Sequence, residues 1–475
     1  MGGRKPVKAT IGLEIHVQLN TESKLFCSCT TEIDDLEPNT AVCPICLGYP
    51  GSKPKLNRKA VEHGITIGIA LESRIKPVIR FSRKNYFYPD MSKNYQITQY
   101  EVPLAEGGYL MVGDHRVGIT RVHIEEDPAK LVHVGGGITN ARETLIDYNR
   151  AGVPLVEIVT EPDIESTEEA RDFLKKLSLI LEHLRVYDPS GEGSLRVDAN
   201  VSIDGGNRVE VKNITGFRNV EKALNYEVVR QRSAVNMGLS IVRETRHFDA
   251  ETGVTSTLRL KEQEEDYGYI AEPDLTQIHL SEELVGGLRV SMPELPDQRI
   301  QRLVDQYGIT RFQSDIIVNT GLRMSIFYEK CCELYPDSKT VANWLVTYLL
   351  KSLNYEGMSL EESSVAPETF TELLTMMDDG TISERLAKEL IKDYVKTGKS
   401  PRKLVEEKNL ALLPVDELRV VVGEVVSENQ KAVDDYRSGK TKAAEYLIGQ
   451  VLRRVRARAA ANTVRELVLE ALKGN

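Results

Sequence analysis

The sequence predicts an α+β protein, with an antiparallel sheet and packed helices in residues 1–294 and an all-α remainder. Two observations carry this. Alternating apolar and polar residues fill short runs up to about Glu294, and helical periodicity then continues from Leu295 almost to Asn475. A length of 475 residues is about three times the ~150 expected of one domain. The predicted domains are therefore 1–294, 295–409 and 410–475, the first boundary at Met292-Pro293-Glu294-Leu295-Pro296 and the second where the pattern pauses near Asn409 to Pro414. With 41% hydrophobic and 28% charged residues the chain is too apolar for a disordered one. No run approaches a membrane span, and no leader pattern precedes Thr10, so a cytoplasmic protein with no membrane partner is expected.

The first strand is Ile11 to Leu19: every odd position is apolar, and the even ones place Glu14, His16 and Gln18 on one face. Leu195 to Ile203 repeats the pattern, with Arg196, Asp198, Asn200 and Ser202 outward; Glu210 and Lys212, then Arg259 and Lys261, alternate with apolar residues in the same way. Such strands imply an antiparallel sheet with one solvated face. Ser166-Thr167-Glu168-Glu169 opens a helix as a capping box, with Ser166 as cap and Glu169 reaching back to it; Asn57 begins another helix and Asn219 a third.

A solvated sheet face ordinarily carries scattered polar residues, but this one is rich in ligand types. Glu14 and His16 stand roughly 6.6 Å apart along the strand, close enough to share a divalent ion. The run His123-Ile124-Glu125-Glu126-Asp127 adds acids, of which only one of Glu125 and Glu126 can face the same site if the segment is extended. Glu157 and Glu161 share a face about 13 Å apart, too far to hold one ion together. Arg196, Lys212, Arg259 and Lys261 are candidate phosphate contacts, with ordinary cross-strand charge pairing as the plain alternative. Arg437-Ser438-Gly439-Lys440-Thr441 is rejected as a P-loop because its upstream glycine is missing and it joins helices. Gly135-Gly136-Gly137 reads as a hairpin turn.

Cys27-Ser28-Cys29, thirteen residues, then Cys43-Pro44-Ile45-Cys46 is the sharpest local motif. Four thiolates in two close pairs suit a structural zinc with no open position; buried free thiols are the alternative. No nucleophile system for releasing ammonia from glutamine is visible. The chain has 61 Lys and Arg against 71 Asp and Glu, a net −10, so any nucleic-acid contact must be local. The segment from Lys440 to the end holds eight basic residues against three glutamates, among them Arg453, Arg454, Arg456 and Arg458.

Taken together, the segments Ile11 to Leu19, Arg83-Lys84-Asn85-Tyr86-Phe87-Tyr88-Pro89-Asp90, His123 to Asp127, Asp147-Tyr148-Asn149-Arg150, Glu192 to Arg196 with Asp198-Ala199-Asn200, Val211-Lys212-Asn213, Glu272-Pro273-Asp274 and Gly449-Gln450 resemble the B subunits of the tRNA-dependent amidotransferase GatCAB. They lie in order along essentially the whole chain. The resemblance implies a cradle similar to the glutamine synthetase fold, a helical domain and a YqeY-like tail that binds tRNA. It implies a ligase that phosphorylates the side-chain carboxylate of Glu-tRNA(Gln), Asp-tRNA(Asn) or both with ATP. Ammonia from a glutaminase A subunit would then displace phosphate, in a heterotrimer completed by a small C subunit.

Carried over by resemblance, Glu14, His16, Glu126 and Glu157 are the catalytic set around Mg2+, with Glu161 nearby. Arg196, Asp198, Lys212, Arg259 and Lys261 are assigned to nucleotide phosphates, and the four tail arginines to tRNA. Two segments depart from the family pattern: Asp266 to Asp274 lacks its Arg and Phe-Pro, and Val455 to Ala461 replaces a Gly- and Pro-containing stretch. The large inserted domain of the paralogous archaeal E subunit has no room here. A small-molecule carboxylate kinase and a non-enzymatic tRNA scaffold are the rival classes. The first has little use for a basic helical appendage, and the second none for a dense Glu/His face.

Overall fold

The computed structural model describes residues 8–135, 141–191, 193–204, 206–260, 268–408, 410, 413–455 and 458–473, the side chains of 259 and 260 excepted. It divides into two compact units, Met1–Leu295 and Pro296–Asn475.

The first unit is built on a ten-stranded sheet. In chain order its strands are β1 (Ala9–Gln18), β2 (Arg74–Ile75), β3 (Ala105–Glu106), β4 (Tyr109–Val112), β5 (His115–Glu126), β6 (Pro154–Thr160), β7 (Leu195–Ile203), β8 (Val209–Thr215), β9 (Glu244–Asp249) and β10 (Val254–Leu260). Their spatial order is β10-β9-β8-β7-β1-β6-β5-β3-β2, with β4 also on β5. The first strand is therefore central. All neighbours are antiparallel except β8 and β9, so the sheet is mixed rather than purely antiparallel. The exception has a simple cause: a parallel neighbour needs a long crossover, and the helix Phe217–Asn236 supplies it.

One face of the sheet is dry. Ile11, Leu13, Ile15 and Val17 of β1 join Val197, Ala199 and Val201 of β7 in a core closed by three helices, α1 (Arg58–Ala70), α2 (Thr167–His183) and α3 (Phe217–Asn236). Phe173, Leu174, Leu177 and Leu181 form the buried stripe of α2 at helical spacing. Asn57 caps α1 by accepting from the amides of Lys59 and Ala60. Ser166 caps α2, but Glu169 accepts from the amide of Glu165 rather than from Ser166. The third helix starts at Phe217 behind Gly216, two residues before the expected Asn219, whose side chain bonds back to Thr215. The strands Lys130–Val134 and Glu143–Asp147 pair as a hairpin; Gly136 and Gly137 between them lie outside the described residues.

The second unit is helical and holds two separate cores. One gathers Ile300 to Val405 around Tyr328, Trp344, Phe370 and Tyr394. The other gathers Leu418 to Leu472. Among the described residues no helix is long and apolar enough to cross a membrane.

Candidate active site

The polar face of the sheet is recessed, not solvated. Its centre is set by register: on β1, His16 stands between Glu157 of β6 and Arg196 of β7, while Glu14 faces Asp198. One strand further, His123 of β5 faces Glu157. Glu125, Glu157, His123, Asp198 and Glu210 are all buried. Desolvated charges survive only in mutual compensation.

Two groups of potential ligands result. In the first, His16 Nε2 lies 3.6 Å from a Glu125 oxygen and 3.6 Å from a Glu157 oxygen. His123 sits behind, its Nε2 3.0 Å from Glu157, its Nδ1 buried without a partner. Burial opposes a charge on His123, yet Glu157 and Glu125 outweigh it and raise the imidazole to about 9. Burial likewise opposes ionisation of Glu157, and His123 with His16 nevertheless holds it well below the ordinary carboxylate range.

The second group is Glu14, Asp198 and Glu210, whose oxygens approach within 4.8 Å of one another. A register shift between β7 and β8 at Asp198 brings two consecutive residues against it: Lys212 Nζ at 3.0 Å and the Asn213 amide at 2.7 Å, with Asn213 in the left-handed region at φ 55°. Burial first, then the charges of Glu157, Asp198 and Glu210, raises Glu14 above the usual carboxyl range. Asn200 donates to Glu14 at 2.9 Å while its own Oδ1 is buried and unpartnered. A carboxylate reluctant to ionise beside two others is the electrostatic signature of a place that a cation completes.

Several expected residues stand elsewhere. Glu126 is not with His16: on consecutive positions of β5, Glu125 turns to the recess and Glu126 to the opposite side, where it receives Lys93 Nζ at 2.6 Å and the Ile97 amide at 2.9 Å. Glu161 is exposed beyond the end of β6 and accepts from Thr120, outside both groups. Asp198, expected beside phosphates, belongs to the second acidic group. Lys212 is bound to Asp198 and Glu210, and Arg196 donates to Asp127 at 2.7 Å. The side chain of Arg259 and all of Lys261 and Arg456 lie outside the described residues. In the second unit Arg453 and Arg454 end the helix Lys442–Arg454, Arg454 pairs with Glu428 at 2.6 Å, and the backbone oxygen of Arg458 accepts from Leu413.

The four cysteines meet. Their sulfurs lie within 4.8 Å of one another, Cys43 to Cys46 at 3.9 Å, about the edge of a tetrahedron around zinc with ~2.3 Å bonds. A bond donated by the Cys27 thiol, helped by Lys24, lowers Cys46 to about 5, so one thiolate is already favoured before any metal binds. Lys24 itself is wholly buried.

Comparison with known proteins agrees with this reading of the recess. The family described as GatB/GatE catalytic domain matches residues 9–286, and the GatB domain family matches residues 326–472. The chain is 46% identical to the GatB-type aspartyl/glutamyl-tRNA(Asn/Gln) amidotransferase protein of Methanospirillum hungatei, over 98% of both chains. It is 43% identical to the corresponding proteins from Methanosarcina barkeri, over 99% of both, and Carboxydothermus hydrogenoformans, over 98% of both. The protein is therefore of the class of amidotransferase subunits, ligases that form carbon–nitrogen bonds with glutamine as amide donor. Within that class the chain belongs to the GatB family.

Proposed function

We propose that the recess phosphorylates the side-chain carboxylate of Glu-tRNA(Gln), Asp-tRNA(Asn) or both with ATP, and that ammonia then displaces phosphate to give the amide. The observation that carries this is the pair of acidic groups on one sheet face, joined by Glu14 and His16 two residues apart on β1. A free carboxylate is a poor electrophile, so conversion to an acyl phosphate must precede amidation. His16, Glu125 and Glu157 would hold one Mg2+, and Glu14, Asp198 and Glu210 a second. Their donor types suit it: hard oxygens with one imidazole, crowded enough to raise Glu14. When bound, such ions neutralise phosphate charge and align the attacking and leaving oxygens.

The chain's own residues do the rest. Lys212 keeps Asp198 and Glu210 ionised and in place, Asn213 fixes Asp198, and His123 holds Glu157 from behind. Arg196, anchored on Asp127 beside His16, faces the same recess and suits the phosphates of ATP. The polar sheet face over a helical layer is the arrangement expected of a cradle like that of glutamine synthetase, which also makes a glutamyl phosphate. Zinc on Cys27, Cys29, Cys43 and Cys46 would be structural. Ammonia comes from a glutaminase A subunit, a small C subunit completes the heterotrimer, and the tail 410–475 takes tRNA, all in the cytoplasm.

The test is hydroxylamine trapping of the activated carboxylate by the assembled complex with ATP, Mg2+ and each misacylated tRNA. tRNA-dependent hydroxamate, lost in Glu157→Gln, is the expected result. ATP turnover that ignores tRNA, or survives that substitution, overturns the proposal.

A further inference from the structure

The cysteine loop is fastened to more than itself. Asn149, which is 1% exposed, accepts the Ala41 amide at 2.8 Å and donates to the Glu37 carbonyl at 2.9 Å, both on the segment between the two cysteine pairs. Asn39 returns the contact: its amide donates to Asp147 and its side chain accepts the Tyr148 amide at 2.7 Å. Lys24 Nζ spans the same seam, donating to Ala41 O at 2.8 Å and Tyr148 O at 3.4 Å, with Cys46 Sγ at 3.9 Å. Gly152 closes the turn at φ 88° against the stems of Lys24 and Cys46.

The next residue after Asn149 is Arg150. Its guanidinium donates to the carbonyls of Pro128 and Ala129 at 3.0 and 2.9 Å and stands 3.6 Å from Asp127. Asp127 also receives Arg196 at 2.7 Å and Gln18 at 2.8 Å. Gln18 shares its strand face with His16, and Arg196 is the cross-strand partner of His16. Two guanidiniums thus converge on one carboxylate at the edge of the recess. Arg150 has five N–H groups and gives two to those carbonyls. Its position depends on a turn that has no strand or helix of its own.

The geometry points to Asn149 as a positioning residue: by clamping the turn Tyr148–Gly152 to the cysteine loop, it holds Arg150 against Asp127 and so keeps that edge ready for an anionic substrate group. This rests on the reading that the recess takes ATP. A catalytic group displaced by about 1 Å costs on the order of 100-fold, so a loosened turn is visible in kinetics. It also gives the cysteine loop a duty beyond its own folding.

A double-mutant cycle in the assembled complex tests this. Arg150→Lys and Asn149→Ala should each lower kcat/KM for ATP by about tenfold or more, with glutamine hydrolysis unchanged. The double variant should be no worse than Arg150→Lys alone, since both remove one function. Hydrogen exchange of the peptide covering 146–153 should quicken about tenfold or more in Asn149→Ala. If Asn149→Ala does not fold, Asn149→Asp keeps the acceptor for Ala41 and should give the same non-additivity with a smaller loss. Multiplying effects, or normal kinetics in a folded Asn149 variant, overturn the proposal. Absence of ATP-dependent amidation in the unsubstituted complex would instead sink the functional reading, while unaltered exchange in Asn149→Ala would sink the clamp alone.

Discussion

The recess of the first unit and the tail of the second both carry charges, but under opposite conditions. In the recess, Glu157, Asp198 and Glu125 are buried, and each is held by two or more partners of fixed geometry. In the tail, Arg454 and Glu428, Arg465 and Glu445, and Arg419 and Glu470 pair with about half of each side chain exposed. A desolvated pair is costly to break, because the survivor is left in a low-dielectric site; an exposed pair exchanges with water or with another anion at little cost. The difference separates chemistry from grip. Preorganised charge belongs where a transition state forms, and exchangeable charge where a long polyanion must bind and leave.

The sharpest break of this contrast lies on two adjacent residues. Glu125→Gln should lower tRNA-dependent amidation by about a thousandfold or more, since it removes a charge shared by His16 and His123 where phosphate charge must be met. Glu126→Gln, one residue on and facing away, leaves those contacts in place and loses the ion pair with Lys93. Its defect should appear first in thermal stability. Measuring kcat and Tm for both variants decides the matter; equal kinetic loss would show that the two sides of β5 act together.

Buried ionic structure also occurs away from the recess, which sharpens the comparison. Glu227 of α3 is fully buried and lies 3.0 Å from Arg246 of β9 and 2.8 Å from Arg230. Arg246→Met should cost about 3 kcal/mol, the low end for a broken buried pair because Arg230 remains. A loss too small to measure in urea unfolding would mean that the network is better hydrated than its burial indicates.

His123 makes the electrostatics of the recess visible in a pH titration. Its folded value, about 9, is above the ordinary 6.5, so the imidazolium stabilises the fold fully below pH 6.5, and that contribution is lost as pH rises through 9. Without divalent ions, unfolding of the first unit should lose no more than about 3 kcal/mol across that window, and His123→Gln should flatten the curve. A flat profile before substitution would show that His123 is neutral when folded.

What was legible beforehand follows strand logic. Ile11, Leu13, Ile15 and Val17 announce the dry face because one strand's alternation needs no knowledge of its neighbours. The parallel pair had a signal too: the 28 residues between β8 and β9, helix included, are far too many for a hairpin. Register was not legible. Whether Glu125 or Glu126 faces His16 depends on Leu155 standing opposite Glu125, and Glu210 reaches Glu14 only because β7 separates their strands and carries a bulge at Asp198. Arg150 was visible only as a letter in a motif, since its role depends on contacts to residues more than twenty positions away. The tail showed its basic excess but not its pairing, because helical spacing gives no information on which glutamate of another helix lies near.

The smallest effect concerns those tail pairs, and it is where the contrast is most exposed to failure. Arg454 donates to Glu428 and stands 3.5 Å from Glu424, so to meet an RNA phosphate it must first leave a carboxylate. Two substitutions should therefore move in opposite directions. Arg454→Ala should weaken tRNA binding by the assembled complex about two- to fivefold and lower the slope of log K against log salt by about one. Glu428→Gln should strengthen binding by a similar factor, because it frees the same guanidinium without removing it. Both changes should shrink as salt rises, while the thermal unfolding of the tail stays where it was. If Glu428→Gln has no effect at either of two salt concentrations while Arg454→Ala weakens binding, the arginine contacts tRNA without exchanging partners. If neither changes affinity, the exposed pairs are surface structure, and the grip on tRNA lies with other residues.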